Sequence, residues 1–329
     1  MNIKKKAKDV FSFLSRIALS LILLAIVFSK IDMVRTKEIL VSADIVYIFY
    51  SFLVFFVVNI AMLGRWYLFI RAMDISVPIY AVVRNFFFGL FGNLFLPSSV
   101  GGDILKTFGL CKHSMNKTKV VASVLLDRLS GFAAIVIVSI CSFSIGYRYI
   151  GEPSLLIPIG VIAVGSFLVL LVLFNERIYS FCCRVFNRFP NFKRSLMNLH
   201  YDITLLKGKK RRGLEALGVS CLSQVIFAFV WYLIARALHQ EISPIYFLIF
   251  VPITCVASSF PSIGGLGVRE AGAVFLFGKV GVEQGVAVSI SLITYLFMVI
   301  IGIIGGVFYV STLSSGRIQH YTPDACCVE

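Results

Sequence analysis

The chain has 329 residues, of which 59% are hydrophobic and 14% are charged, whereas about a quarter of the residues in soluble domains are charged. A mean hydropathy of +0.93 and apolar runs along the whole length exclude an ordinary soluble enzyme and predict a polytopic membrane protein. The formal net charge of +15 does not call for a nucleic-acid partner, because cytoplasmic loops of membrane proteins are rich in Lys and Arg.

Eight apolar segments follow one another along the chain, and each is long enough to be considered as a membrane span. If all eight crossed the bilayer, the basic N-terminal tail and the basic loop 175–212 would lie on opposite sides, against the positive-inside rule. The segments are 12–29, 44–63, 79–96, 120–146, 154–174, 214–237, 244–260 and 284–312.

An arrangement of about six full spans and two re-entrant hairpins removes this conflict. In it, 79–96 returns through 104–115 and 244–260 returns through 268–280, so both basic regions and both termini are cytoplasmic. The alternative is two full spans that are kinked at proline and packed through glycine.

The hairpin arrangement gives the two halves of the chain the same order of elements and opposite orientations in the membrane. Many secondary transporters are built in this way. We therefore expect one all-α transmembrane domain, residues 1–329, made of two inverted-topology repeats, 12–146 and 154–312. The plasma (inner) membrane is the expected location.

Proline- and glycine-rich breaks interrupt an apolar segment in each half. Breaks of this kind free backbone groups to hold a polar ligand, and matched breaks in two halves point to a transport site near the midplane. The residues of the breaks are Pro97, Gly101, Gly102 and Asp103 in the first half, and Pro261, Gly264, Gly265, Gly267, Arg269 and Glu270 in the second.

Three cations and three acids lie beside these breaks and must be paired or face water, because a charge near the bilayer centre costs several kcal/mol. We expect pairs between the halves: Asp103 or Asp127 with Arg269, and Glu270 with Arg128 or Lys106. In the functional interpretation, the three cations bind a phosphate or another anion with help from backbone N–H groups. In the alternative, the charges only pin the hairpins together.

Four motifs together resemble the lysylphosphatidylglycerol synthase transmembrane (flippase-like) family: Asn93-Leu94-Phe95-Leu96-Pro97, Gly101-Gly102-Asp103, Asp127-Arg128 with Gly131, and Pro261 to Glu270. The resemblance implies an integral inner-membrane protein that moves a lipid across the bilayer. One departure is Lys106, where the family more often has Arg. No soluble aminoacyltransferase domain follows the motifs in this sequence, so synthase activity is not expected.

The expected substrate-binding residues are those of the two breaks together with Asn93, Lys106, Asp127 and Arg128. The expected function is to flip a phospholipid or a lipid-linked envelope precursor through a charged midplane cleft. One alternative is a non-flipping membrane subunit or glycosyltransferase-like partner that uses Asp103 and Asp127. Another is an ion-coupled solute carrier.

No Gly-x-Ser-x-Gly, His-Glu-x-x-His or Walker A pattern occurs in the sequence. No Cys/His spacing matches a zinc site either. We therefore expect a transporter rather than an enzyme, with a membrane lipid as its partner, no nucleic acid, no cofactor and no metal.

Overall fold

The computed structural model describes residues 33–95, 101–114, 116–150, 209–257 and 265–315, with Gly160, Val164 and Phe167 as isolated helical positions. The described residues form α-helices and no strand, as the all-α prediction requires. Segment 12–29 and nearly all of segment 154–174 lie outside them.

The nine helices of the described part of the chain differ widely in length. They are α1 Met33–Val41, α2 Ile45–Ala72, α3 Ile79–Phe95, α4 Gly101–Cys111, α5 Lys117–Ile150, α6 Lys210–Ala237, α7 Pro244–Ala257, α8 Val268–Gly278 and α9 Gln284–Ser315.

Four of these helices, α2, α5, α6 and α9, are long and apolar enough to cross a membrane. The 28 residues of α2 extend about 42 Å, more than the hydrocarbon core of about 30 Å. Large apolar side chains such as Phe49, Leu222 and Val307 point out of the protein on these helices, where lipid would cover them. The fold is therefore that of a multi-pass membrane protein.

The remaining helices of the two predicted hairpins are shorter. α3 and α7 are apolar helices of 17 and 14 residues, and α4 and α8 have 11 residues each. A helix of 11 residues is about 16 Å long, roughly half of the hydrocarbon core. The proline- and glycine-rich breaks thus separate helices that are individually short, and α4 and α8 begin at Gly101 and Val268, next to the predicted glycines.

The helices fall into two sets with the same order of lengths: long, short, short, long. We call α2–α5 the first set and α6–α9 the second set. The matching ends of α2 and α6 also share sequence, which our interpretation of the motifs did not use. Trp66-Tyr67-Leu68, Arg71-Ala72 and Pro78-Ile79-Tyr80 in the first set correspond to Trp231-Tyr232-Leu233, Arg236-Ala237 and Pro244-Ile245-Tyr246 in the second.

The two tryptophans of these matching segments lie in different parts of the apolar interior. Trp66 is fully buried in a core formed mainly by residues of the first set. Trp231 is fully buried in a second core, formed mainly by the second set together with α2. Each set therefore places its one tryptophan at the centre of its own packing.

The long helices α2 and α6 lie antiparallel against each other. At one end of the pair, Arg212 near the start of α6 donates to the backbone oxygen of Arg71 near the end of α2, at 2.6 Å. At the other end, the backbone N–H of Asp44, the N-cap of α2, donates to the oxygen of Ala237, the last residue of α6, at 2.8 Å.

The short helices α3 and α4 also pack antiparallel, with glycines at their contact. A Cβ on Gly89 would lie 2.9 Å from the backbone oxygen of Gly102. A Cβ on Gly109 would collide with the side-chain oxygen of Asn85. The two helices therefore approach so closely that these positions have no room for a side chain.

The first set's hairpin also packs on the last helix of the second set. A Cβ on Gly305 of α9 would lie 2.6 Å from the backbone oxygen of Phe87 in α3, and one on Gly302 would lie 2.6 Å from Leu94. Correspondingly, the short helix α7 of the second set packs on the long helix α5 of the first set. The two sets are thus intertwined through their short helices.

Candidate functional site

Five charged side chains from α2, α4 and α5 form one continuous chain of ion pairs, which we call the ion cluster. It consists of Arg65, Asp127, Lys106, Asp103 and Arg128, in order of contact. The Nε of Arg65 is 2.6 Å from Oδ1 of Asp127, and Nζ of Lys106 is 3.1 Å from Oδ2 of the same carboxylate. Lys106 Nζ is also 3.0 Å from Asp103 Oδ1, and Arg128 Nε pairs with Asp103 Oδ2.

The helices place these groups in simple ways. Asp103 and Lys106 are one turn apart on α4 and therefore share a face. Asp127 and Arg128 are neighbours on α5 and point in different directions, so each pairs with another helix. Arg65 reaches Asp127 because Gly131 has no side chain: a Cβ there would lie 3.3 Å from the Arg65 guanidinium.

Neutral partners complete the surroundings of the cluster. The Lys106 ammonium lies 4.9 Å from the centre of the Trp66 ring, a cation–π contact. The indole N–H of Trp66 donates to Ser123 Oγ at 3.3 Å. Arg65 Nη1 also donates to Ser220 Oγ of α6 at 3.4 Å, which connects the cluster to the second set.

A cavity of about 320 Å³ lies beside the ion cluster, and all five charged side chains line it. Its other walls are mostly apolar and come from both sets. They include Phe55 and Met62 of α2, Leu94 of α3, Phe227 of α6 and Ile301 of α9. The cavity therefore combines a charged side with apolar walls, which is the chemistry of an amphipathic ligand.

The described residues that line the cavity carry an unequal number of charges of the two signs. Three are cationic, Arg65, Lys106 and Arg128, and two are acidic, Asp103 and Asp127. Arg65, Lys106 and Asp127 are almost fully buried, whereas 29% of the Arg128 side chain is exposed. The cavity wall thus has one surplus positive charge, and Arg128 is its most accessible cation.

Arg269 and Glu270 form a second, separate cluster at the start of α8. Arg269 donates to Glu270 Oε1 at 2.7 Å, to Ser291 Oγ at 2.8 Å and to the sulfur of Met298 at 3.5 Å. Glu270 Oε2 accepts the backbone N–H of Gly267 at 2.7 Å. The pair joins α8 to α9 and is not among the side chains that line the cavity.

The expectation that ion pairs would join the two halves is wrong for these residues. The pairs of Asp103, Asp127 and Lys106 lie within the first set, and Arg269 pairs with Glu270 within the second. Neighbouring residues on a helix can pair in this second case because the Arg269 side chain is long enough to fold back. Each of these residues therefore pairs within its own helix set.

The remaining predicted site residues are Asn93 and the glycines and prolines of the two breaks. Asn93 Oδ1 accepts the backbone N–H of Gly102 at 3.0 Å, and both residues line the cavity. Gly101 is buried at the start of α4. Gly265 and Gly267 have φ of 82° and 85°, values that favour glycine. Pro97, Pro261 and Gly264 lie outside the described residues.

Sequence reasoning missed Arg65, Asn59 and Gln224 as cavity residues. Segment 44–63 was predicted to end before Arg65, yet α2 continues to Ala72 and buries it. The burial of Arg65 could have been predicted from its position directly before Trp66, because the sequence is apolar on both sides of it. Among the residues that the structure describes, no group of three His, Cys, Asp or Glu side chains is placed to hold a metal.

These features define the class of the molecule: an α-helical, multi-pass membrane protein with a charged cavity between two helix sets. A sequence model of the lysylphosphatidylglycerol synthase transmembrane region matches residues 13–306, so the chain belongs to this family. The UPF0104 membrane protein PH1989 of Pyrococcus horikoshii is 25% identical over 336 residues, covering 91% of this chain and 93% of that protein. No solved structure matches the chain at a significant level.

Proposed function

We propose that this protein carries the polar headgroup of an anionic lipid across the bilayer while the lipid tails remain in the membrane. The observation that supports this most directly is the cavity, in which one wall carries the ion cluster and the others are apolar. A lipid headgroup with the first part of its tails has the same division of polar and apolar surface. Buried charges inside membrane segments are costly and usually mark a transport path.

The order of the helices supports a pair of inverted repeats. The two sets have the same sequence of lengths and matching Trp-Tyr-Leu segments, and their equivalent helices α2 and α6 lie antiparallel. If α2 and α6 both cross the membrane and run in opposite directions, the two-fold axis that relates them must lie in the plane of the membrane. Repeats related in this way allow a transporter to open alternately to its two sides.

The short helices support the proposal that each set contains a re-entrant hairpin. α3 and α4 pack antiparallel, and α4 with 11 residues is too short to cross the bilayer alone. The breaks at residues 96–100 and 258–264 would then lie within the membrane. Asn93 before the first break and Gly102 after it both line the cavity.

The positive-inside rule supports a cytoplasmic location for the start of α6. Lys209, Arg211 and Arg212 lie there, next to the end of α2 and the connection that follows it. The start of α2 and the end of α6 are then on the outer side. With segments 12–29 and 154–174 as further spans, both termini are cytoplasmic.

A vesicle assay tests the proposed activity. Purified protein is incorporated into liposomes that contain a fluorescent phosphatidylglycerol, and an impermeant quencher reports how much of it reaches the outer leaflet with time. We expect faster exchange than in protein-free vesicles, and a clear loss in Arg128→Gln. The control variant Arg211→Gln removes the same charge from an exposed side chain that does not line the cavity, and should exchange lipid like the wild type.

Exchange at the protein-free rate, for every anionic lipid tested, would contradict the proposal. In that case the favoured alternative is a membrane subunit for an enzyme of envelope lipid synthesis. One observation favours it: every member of the ion cluster has an ion partner, so the cluster can stabilise the hairpin without a ligand.

A further inference from the structure

We propose that Asn59 and Gln224 form a hydrogen-bonding site for hydroxyl groups of the lipid headgroup. The cavity then prefers a polyol headgroup, such as glycerol or a sugar, over a headgroup of the same charge without hydroxyl groups. This inference rests on the proposed function and names the class of headgroup that the cavity takes. It follows from the position and the hydrogen bonding of two neutral amide side chains and does not depend on the charges of the ion cluster.

The first step is the position of the two amides on the cavity wall. The antiparallel helices α2 and α6 bring Phe55 and Phe227 together, with their ring centres 5.9 Å apart. Asn59 follows Phe55 by about one turn of α2. Gln224 precedes Phe227 by about one turn of α6, which runs the other way. Both amides therefore lie between these rings and Arg65, and both line the cavity, so that this wall changes from charged through neutral polar to aromatic.

The second step is the hydrogen bonding of Gln224. Its Oε1 is buried and accepts no hydrogen bond from the described residues. Buried polar atoms normally have a partner, because leaving one without a hydrogen bond costs free energy. The other buried atoms of this kind in the described ranges belong to residues that do not line the cavity. The last torsion of a glutamine side chain is broad, so the amide of Gln224 can rotate to present Oε1 to a donor in the cavity.

The third step is the orientation of Asn59, which is 5% exposed. Its Nδ2 donates to the backbone oxygen of Phe55 at 2.8 Å, and this bond holds the amide against its own helix. The bond uses one N–H of the amide and leaves Oδ1 and the second N–H for a ligand. Asn59 and Gln224 thus supply two acceptor oxygens, from two helices, at the same level of the cavity wall.

These groups match the chemistry of a ligand with hydroxyl groups. A hydroxyl group both donates and accepts, and an amide offers an acceptor oxygen beside its N–H donors. Phosphate and ester oxygens of a lipid accept only, so they give Oε1 of Gln224 no donor. An ammonium group donates but accepts nothing from an amide N–H. A polyol satisfies both kinds of amide atom at once.

Hydroxyl groups of this kind occur in lipid headgroups and in free polyol phosphates, and the walls of the cavity favour the lipid. Phe55 and Phe227 border the amides, and Met298 and Ile301 of α9 line the same cavity. A water-soluble compound would gain little from these walls. The glycerol backbone and first methylene groups of a lipid would bury apolar surface against them. The chemistry of the site is therefore that of a lipid with hydroxyl groups in its headgroup.

A matched pair of lipids tests the preference. Phosphatidylpropanol has the charge and the carbon atoms of phosphatidylglycerol without the two free hydroxyl groups. Phosphatidylglycerol with a fluorophore on one tail is bound to the detergent-solubilised protein and displaced by short-chain phosphatidylglycerol, phosphatidylpropanol or glycerol phosphate. We expect the wild type to bind phosphatidylglycerol about ten-fold more tightly than phosphatidylpropanol, the effect of one or two net hydrogen bonds. Glycerol phosphate should bind more weakly than either lipid.

Gln224→Leu separates a binding role from a structural one. The variant puts an apolar side chain of similar size in place of the amide and should remove most of the preference for phosphatidylglycerol. Its Tm should not fall, because the change also removes a buried oxygen that has no hydrogen bond. Asn59→Ala should weaken the preference in the same direction. Gln284→Leu is the matched control: Gln284 is an exposed glutamine at the start of α9 that does not line the cavity, and the variant should keep the wild-type preference.

The vesicle assay with the same two lipids separates the possible failures. Equal binding and equal exchange of the two lipids by the wild type would overturn this inference and leave the proposed function intact. Hydroxyl-dependent binding without exchange would overturn the proposed function and leave the inference.

The displacement measurement has three further outcomes that count against the inference. A preference that persists unchanged in Gln224→Leu would overturn the assignment of the hydroxyl site to this residue. Binding of glycerol phosphate as tight as that of phosphatidylglycerol would overturn the assignment to a lipid. No displaceable binding of phosphatidylglycerol by the wild type would overturn the inference and the proposed function together.

Discussion

Asp74 and His239 have the same backbone conformation at matching places in the two helix sets. Each follows the last residue of a long helix by two positions, and their φ angles are 52° and 58°. Each side chain bonds to the region where the other long helix begins: Asp74 accepts a hydrogen bond from Lys209, and His239 Nε2 donates to the oxygen of Ser42 at 3.0 Å. The α2–α6 pair is thus fastened at both ends by equivalent residues of different chemistry.

The contact between Asp74 and Lys209 should depend on pH only in the acid range. The hydrogen bond from Lys209 lowers the pKa of Asp74 below its ordinary value of 3.8. A lowered pKa means that the contact stabilises the fold above pH 3.8 and that this contribution is lost as the pH falls through the lowered value. Asp74→Asn should therefore lower the Tm slightly at pH 7 and have no effect at a pH below the lowered pKa.

Asn is the suitable replacement at this position because it tolerates a positive φ. Glu241→Gln is the matched control, since Glu241 is an exposed acid in the equivalent connection, 3.9 Å from Arg236. Thermal unfolding in detergent across this pH range is the measurement. A Tm difference for Asp74→Asn that persists below the lowered pKa would show that the charge of Asp74 is not its cause.

The proposed topology places Arg211 in the cytoplasm and Glu241 outside. Both side chains are highly exposed, at 93% and 89%. Single cysteines are placed at these positions in a background without the eight native cysteines. An impermeant thiol reagent added to intact cells should label position 241, and should label position 211 only after the cells are permeabilised. Labelling of both positions from outside would contradict the inverted arrangement.

Gly305→Ala should disturb the contact between the two sets. Its Cβ would lie 2.6 Å from the backbone oxygen of Phe87, and a backbone atom of a packed helix cannot move aside easily. We expect a loss of about 1–3 kcal/mol in stability, seen as a lower Tm. Gly218→Ala is the control: it lies on α6 with no atom within 4 Å of its added Cβ, and should be neutral or stabilising.

Asp127→Leu should be the most damaging single change in the ion cluster. It leaves Arg65 without its carboxylate in a buried site, at a cost of about 3–5 kcal/mol. The double variant Arg65→Met with Asp127→Leu should recover much of the Tm, because apolar side chains can replace a buried ion pair. No recovery in the double variant would indicate that Asp127 stabilises the fold mainly through Lys106.

Arg269→Lys should affect stability rather than transport. The guanidinium group makes three contacts that one ammonium cannot reproduce, and it does not line the cavity. We expect a clearly lower Tm with unchanged lipid exchange per folded molecule, whereas Arg128→Lys should lower exchange with little change in Tm. Loss of exchange in a stable Arg269→Lys protein would instead assign Arg269 to the ligand.

Much of the helical order could be predicted from the sequence because lipid imposes long apolar runs. The four long helices coincide with predicted segments, and the breaks at glycine separate short helices where the motifs indicated them. The end of α2 was predicted at residue 63, nine residues early. Arg65 and Arg71 interrupt the apolar pattern there, and hydropathy alone does not reveal that Asp127 neutralises Arg65.

The partners of the buried charges were beyond prediction for a related reason. Asp103, Asp127 and Lys106 were predicted to lie beside the break, and the structure places all three on the cavity wall, but the opposite charges in the other half offered a plausible balance that the structure does not use. The actual pairing depends on how closely α3, α4 and α5 approach one another, which Gly89, Gly102 and Gly131 make possible. Such distances cannot be obtained from the spacing of residues along the chain.

The unequal charges of the two helix sets bear on the ancestry of the chain. By the alignment of the tryptophans and the helix starts, Arg65, Lys106 and Asp127 correspond to Val230, Ala273 and Thr294. Under the proposed inverted repeats, an ancestor of half this length, working as an antiparallel homodimer, would have carried each of these residues twice and would have needed to insert in both orientations. After gene fusion the two copies could diverge, so that the first set alone keeps the ion cluster while the second set keeps the separate pair of Arg269 and Glu270.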